Sequence, residues 1–349
     1  MSPGDLAGAL RARPVVLDGG LATHLQTRGH DLSGDLWSAR LLREDPDAVV
    51  AAHADYLRAG AQVLLTASYQ ASTEGFGRLG IGRVEVLDLL ARSVRLAREA
   101  CARTGADAWV AGSVGPYGAV LADGSEYTGD YVGPDRVGGR IMTVQALRTF
   151  HRDRMTALAA AGADVLALET VPALAEVEAL LLATQDVGVP VWLSLTTTTD
   201  LDGTVLTRRG EPAAEAFDMA GDTDLVLAVG VNCCDPAGVD AAVALAGETS
   251  RLPVVAYPNS GETWDAVARR WSGAADLDLS AVDGWVGHGA RLVGGCCRVG
   301  PEQVADLAGH LRAPGPGVTV ASRRRSRPGG SRVRVTSRPG DRAPRGPHR

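Results

Sequence analysis

Short apolar runs rich in valine, leucine and alanine recur along the chain, each closed by glycine, proline or a polar residue. Eight of them have the length and composition of buried strands: Val15–Asp18, Gln62–Ser68, Ala108–Ser113, Asp164–Glu169, Val189–Thr196, Asp224–Cys233, Leu252–Asn259 and Arg291–Cys297. Between them apolar positions fall at helical spacing, which predicts helices over Asp47–Gly60, Val84–Gly105, Thr143–Gly162, Ala173–Asp186 and Pro236–Ala246. Ala59-Gly60-Ala61, Ala161-Gly162-Ala163 and the related Gly289-Ala290 put a glycine cap just ahead of a strand.

Strands and helices that alternate in this way predict an α/β protein, a single-domain (β/α)8 TIM barrel. A doubly wound open sheet is the rival. It calls for a glycine-rich phosphate turn after the first strand, and Asp18-Gly19-Gly20-Leu21-Ala22 is not G-x-G-x-x-G. In a barrel the chemistry sits at the C-terminal ends of the strands. Those ends read Asp18, Ser68, Ser113, Glu169, Thr196, Asn232-Cys233, Asn259 and Cys296-Cys297, all polar or able to bind metal. Both asparagines of the chain and four of its five cysteines fall on this one rim.

The 349 residues are 45% hydrophobic and 22% charged, ample for a large core. No stretch approaches the ~18 apolar residues of a transmembrane helix, so no membrane partner is expected. Met1-Ser2-Pro3-Gly4-Asp5 shows no basic region ahead of an apolar run, and a cytoplasmic setting is expected. Lysine is absent and all 35 basic residues are arginine, which removes Schiff-base chemistry and the lysine of a P-loop.

The net charge of −6 is unevenly spread. Residues 321–349 hold ten arginines against one acid, Asp341, a net +9, and the rest of the chain carries −15. Residues 314–349, rich in Arg, Gly, Pro and Ser, are expected to form a disordered basic tail behind a barrel spanning 1–313. A basic tail can bind nucleic acid through phosphates. This one has no aromatic residue to stack a base, so it reads as a solvated appendage.

The cysteines direct the chemistry. Five of them in a chain of this size argue against a disulfide framework. Zinc prefers thiolates in tetrahedral geometry, and a catalytic site keeps one position open. Cys296 and Cys297 offer two sulfurs and the Cys233-Cys234 pair one, provided the sixth and eighth strands end on one face. Gly230, Gly294 and Gly295 beside them are expected to let the backbone bend sharply toward a shared ion. Cys101, inside a helical segment, reads as a small core residue. The seven histidines show neither H-x-H nor H-E-x-x-H, which leaves hydrolase zinc and facial-triad iron without support. Bound zinc deprotonates a coordinating thiol. A three-thiolate centre therefore suits alkyl transfer to sulfur.

Nine segments in order carry a resemblance. They are Leu17-Asp18-Gly19-Gly20, Leu36-Trp37-Ser38-Ala39, Thr66-Ala67-Ser68-Tyr69-Gln70-Ala71 and Gly112-Ser113-Val114-Gly115-Pro116-Tyr117-Gly118. Then come Asp123-Gly124-Ser125-Glu126-Tyr127, Leu168-Glu169-Thr170-Val171-Pro172 and Gly230-Val231-Asn232-Cys233. Tyr257-Pro258-Asn259-Ser260-Gly261-Glu262 and Gly294-Gly295-Cys296-Cys297 complete the set. Over roughly residues 14–312 the chain resembles the zinc-dependent homocysteine S-methyltransferases, most nearly the branch that uses S-methylmethionine, with S-adenosylmethionine as a second donor.

The resemblance implies one zinc ion per chain, held by Cys233, Cys296 and Cys297, with homocysteine thiolate as the fourth ligand. Adjacent side chains on a strand point to opposite faces, which leaves Cys234 a bystander. It implies that Glu169 holds the homocysteine ammonium group, that Asp18, Gly19 and Gly20 approach the amino-acid head group, and that Asn232 belongs to the substrate site. A sulfonium is attracted to an aromatic face as an ammonium is. Trp37 is the preferred donor contact, with Tyr69, Tyr117, Tyr127 and Tyr131 as other aromatics in strand-end loops. The competing readings are betaine as donor, and a zinc-thiolate sensor or binding module without turnover. A cobalamin-dependent methionine synthase has a related barrel, but this chain lacks room for its further domains.

Overall fold

All eight apolar runs form strands of one parallel sheet in the computed structural model of the chain. They are β1 (Val15–Val16), β2 (Val63–Leu65), β3 (Trp109–Val114), β4 (Val165–Val171), β5 (Val191–Leu195), β6 (Val226–Asn232), β7 (Val254–Tyr257) and β8 (Ala290–Val293). Each pairs with its neighbour in sequence, β8 pairs with β1, and a bridge between Leu17 and Val63 joins β1 to β2, closing the barrel. The structure describes residues 4–32, 37–133, 141–265, 270–272 and 277–312, with backbone only at 37–38, 263–265 and 270–272. The chain divides into a unit Met1–Ala313 and a second, Pro314–Arg349. The expected disordered tail lies outside the described residues.

Strand residues alternate between two apolar compartments, the period of two that a strand imposes. Trp109 and Ala111 of β3, Val165 and Ala167 of β4, Trp192 of β5, Val255 and Tyr257 of β7 and Leu292 of β8 fill the barrel interior. Val110, Leu166, Leu168, Leu193, Val254 and Val293 pack outward in the core shared with the helices. Burial on both faces is why the strands read as nearly continuous apolar runs.

The five helices that periodicity predicted stand where it put them, with bounds shifted by a residue or a few. Pro46–Ala59, for instance, starts at an Asp45 cap that accepts from the Ala48 amide, has proline in its first turn, and ends at Gly60 with φ 105°. Helices Ala213–Gly221 and Leu279–Gly287 were not expected; both are only nine residues long, too short for a clear period. Also unexpected is the helix Leu6–Ala12, whose Leu6 and Leu10 join the interior core while the Trp109 indole donates to the Gly4 carbonyl at 2.9 Å. It plugs one end of the barrel, and the chemistry-bearing strand ends lie at the other. No helix among the described residues is long and apolar enough to cross a membrane.

Candidate metal centre and substrate site

The β6 and β8 ends bring three sulfurs together. Among the described residues, Cys233, Cys296 and Cys297 form a group whose sulfurs lie within 4.8 Å of one another, with Cys233 and Cys297 3.7 Å apart. Two thiolates on a tetrahedral zinc at ~2.3 Å stand roughly 3.8 Å from each other, so the spacing fits. The donor chemistry fits too. Hydrogen bonds from the Cys233 and Cys296 thiols hold the Cys297 sulfur well below the usual thiol range, whereas Cys296 is raised by its bonds to the same neighbours and by burial. One thiolate forms readily, and a divalent cation is what allows three.

The bends that converge the sulfurs are not at the glycines. Cys233 itself takes the left-handed conformation, φ 50°, and Arg298 does so after Cys297, φ 68°. Gly230 and Gly295 answer to close packing instead. A Cβ on Gly230 would stand 1.9 Å from the Val255 carbonyl, and one on Gly295 would stand 2.2 Å from Val299. Cys234 turns outward into the core, and burial first, then the neighbouring Cys233 charge, pushes its thiol up to about 12. Cys101 sits half-buried in the helix Arg83–Thr104, packed against the outer core.

Both asparagines hold backbone beside the site. The Asn259 side-chain oxygen accepts from the Cys297 amide at 3.2 Å. Nearby, the Arg298 guanidinium makes a two-pronged pair with Glu262 at 2.9 and 3.1 Å. Asn232 is fully buried; its oxygen accepts from the Thr170 amide at 2.7 Å and its amide donates to the Thr170 hydroxyl at 2.8 Å. Thr170 needs that clamp, because its φ of 61° is costly for a β-branched residue. The strain falls in a bulge of β4, where the register with β5 slips between Leu168 and Val171 and re-aims Glu169. Asn232 therefore acts through Thr170. Asn232→Ala is expected to lower stability by about 1–3 kcal/mol, the cost of an orphaned buried donor. A denaturant midpoint checks this.

Glu169 is 5% exposed, accepts from the Ser113 hydroxyl and shares its surroundings with Tyr257, whose hydroxyl also meets Ser194 at 2.7 Å and the Trp192 indole at 3.1 Å. Burial pushes its carboxyl up to about 7 against the hydrogen bonds that favour the charged form. Asp18 lies close enough to feel the Glu169 charge. One of its oxygens accepts from the Leu65 amide at 2.9 Å; the other, Oδ1, is buried without a partner among the described residues. Burial raises the Asp18 carboxyl well above the usual carboxylate range. A pair of buried carboxylates with an orphan oxygen is a receptor for a cation. Gly20 donates its amide to the Val299 carbonyl at 2.9 Å, and a Cβ there would meet the Cys296 carbonyl at 2.5 Å. The Asp18-Gly19-Gly20 turn thus lies directly against the cysteine turn.

The aromatic residues divide. Tyr127 places its hydroxyl 3.2 Å from the Cys233 sulfur, and Tyr69 lies within reach of the Glu126 and Cys233 charges. Tyr117 and Tyr131 belong to a separate apolar cluster, with the Tyr131 hydroxyl donating to Glu176. Trp37 opens the short helix Trp37–Arg40, and its side chain lies outside the described residues. Arg154, 2% exposed, was not foreseen: it donates to the Gly115, Ser68 and Tyr69 carbonyls at 3.1, 3.3 and 2.7 Å, latching two mouth loops together. On the helix Val144–Ala160 nothing in sequence separates it from the solvent-facing arginines.

Barrel and site together define a (β/α)8 barrel with three cysteines at its mouth that could hold a metal ion. The homocysteine S-methyltransferase family profile matches residues 15–311. Homocysteine S-methyltransferase 4 of Zea mays is 42% identical over 334 residues, covering 89% of this chain and 94% of that protein. Selenocysteine methyltransferase of Astragalus bisulcatus is 40% identical, covering 84% and 91%. The crystal structure of the homocysteine methyltransferase MmuM from Escherichia coli in its metallated form superposes with a TM-score of 0.74 at 37% identity, over 88% of this chain and 99% of that one. The chain belongs to the homocysteine S-methyltransferase family.

Proposed function

We propose that the protein transfers a methyl group from a sulfonium donor, S-methylmethionine or secondarily S-adenosylmethionine, to L-homocysteine, forming methionine. One observation carries this reading: three sulfurs at zinc spacing share the barrel mouth with the buried Asp18 and Glu169 carboxylates. Cys233, Cys296 and Cys297 would hold one zinc ion, which when bound supplies the charge that lets an incoming thiol ionise at neutral pH. Glu169 and the free oxygen of Asp18 bind the acceptor's ammonium group, and the backbone at Gly19 and Gly20 bounds its head group. Ser113 and Tyr257 orient Glu169.

These contacts set the acceptor sulfur in line with the donor methyl, and positioning supplies much of the acceleration. The acceptor sulfur forms the new S–C bond as the donor's C–S bond breaks. That electron pair stays on the donor sulfur, which leaves as a neutral thioether, so no residue has to deliver a proton to it. The barrel, residues 1–313, carries this chemistry. All five cysteines are unpaired, in keeping with a reducing cytoplasmic setting.

The test is methionine formation from L-homocysteine and S-methylmethionine by zinc-loaded protein under reducing conditions, with S-adenosylmethionine and betaine as alternative donors. Turnover with betaine alone would move the assignment to the betaine-using branch. No methionine from any of the three would sink it and bring the sensor reading forward. Chelation is expected to abolish activity. Zinc should restore it fully while the thiols stay reduced, and poorly once air has oxidised the Cys233–Cys297 pair.

A further inference from the structure

Glu126 lies at the barrel mouth and has no part in holding the metal or the acceptor. It sits in the short helix Ser125–Tyr127, and the next side chain, Tyr127, touches the Cys233 sulfur at 3.2 Å. Only 6% of it is exposed, and its Oε2 has no hydrogen-bond partner among the described residues. The loop cannot easily swing it to water. Ser125 accepts from the Thr128 and Gly129 amides at 3.2 and 2.9 Å, and the Ser125–Glu126 backbone packs so close to Gly118 that a Cβ there would stand 2.4 Å from the Glu126 nitrogen.

The charges around Glu126 are of the wrong sign. It feels Cys233 and Asp123, while Arg154, a nearby buried cation, turns its two Nη groups to main-chain carbonyls. Burying a carboxylate oxygen unpaired among anions is costly unless a ligand brings the missing partner. The acceptor's ammonium already has Asp18 and Glu169. A sulfonium offers positive charge but no N–H, and an orphan acceptor oxygen calls for a donor. An amino-acid ammonium supplies both charge and donor.

Resting on the proposed methyl transfer, we infer that Glu126 binds the α-ammonium group of the methyl donor and so selects amino-acid sulfonium compounds over donors that lack an N–H. An ammonium keeps its charge throughout the reaction, so this contact works as uniform binding and is read in the donor KM more than in kcat.

The experiment compares wild type and Glu126→Gln, both zinc-loaded, with S-methylmethionine and with its desamino analogue. The analogue carries the same dimethylsulfonium and carboxylate but no amino group; if it is not turned over, its inhibition constant against S-methylmethionine is read instead. The variant should lose about 10–100-fold in kcat/KM for S-methylmethionine, the worth of one charge-assisted hydrogen bond. Its value for the desamino analogue, its homocysteine KM, its zinc content and its melting temperature should not move. An equal loss with both donors, no loss with either, or a raised homocysteine KM overturns the inference. Wild type inactive with every sulfonium donor sinks the underlying reading and this one with it. An active wild type matched by Glu126→Gln sinks this one alone.

Discussion

Replacing Cys296 by serine is expected to remove zinc retention and methionine formation together. The three sulfurs are the whole donor set that the described residues bring to one point, and no histidine among the described residues joins the group. A serine hydroxyl is a poor ligand for zinc beside two thiolates. Losing a hydrogen-bond partner of a metal ligand typically costs roughly 10–100-fold in affinity or activity. Losing a ligand should exceed that range. Metal content by atomic emission and methionine by chromatography, on the same preparation, check both halves. A Cys296→Ser protein that held stoichiometric zinc and turned over normally would remove the three-thiolate site. Cys234→Ser is the control, since Cys234 turns into the outer core, and it should keep its zinc.

Glu169→Gln is expected to keep the metal and lose the acceptor. The amide preserves shape but removes the charge that faces an ammonium, and half of it presents N–H groups to the Ser113 and Tyr257 hydroxyls. With charge-assisted bonds worth about 1.5–3 kcal/mol, kcat/KM for homocysteine should fall roughly 10–100-fold. The carboxyl is pushed up to about 7, mainly by burial. Below that pH it is protonated before the acceptor arrives, so the homocysteine KM of the wild type should climb as pH falls through this range, and that of the variant should climb much less. Zinc content and the donor KM should be unaffected. A variant with an unchanged homocysteine KM would assign the ammonium elsewhere.

Much of this was legible in the chain because a barrel repeats one local rule. Each strand is buried on both faces, so its apolar run stands out, and each has a polar or thiol residue within three positions of its end at the mouth. Asp18, Glu169, Cys233, Cys296 and Cys297 could therefore be placed on one rim from order alone. The choice of Cys233 over Cys234 came from the resemblance; in the structure the strand ends at Asn232, and the left-handed turn at Cys233 leaves Cys234 in the outer core. The expectation that glycine bends would converge the cysteines failed on its mechanism, since Cys233 and Arg298 carry the left-handed angles and the glycines relieve close contacts. Glu126 stood in a quoted segment, yet nothing in its spelling separates a buried, unpartnered carboxylate from a solvated one.

By itself the sequence determined the barrel, its eight strands to within a few residues and the chemistry of three thiols, because periodicity and residue type are local properties. Only the tertiary structure decided which groups are short of a partner: the orphan oxygens of Asp18 and Glu126, the Asn232 clamp on Thr170, and the Arg154 latch beneath the mouth. Burial and hydrogen-bond satisfaction depend on what other strands and loops bring near, across tens to hundreds of intervening residues, and no local pattern records them.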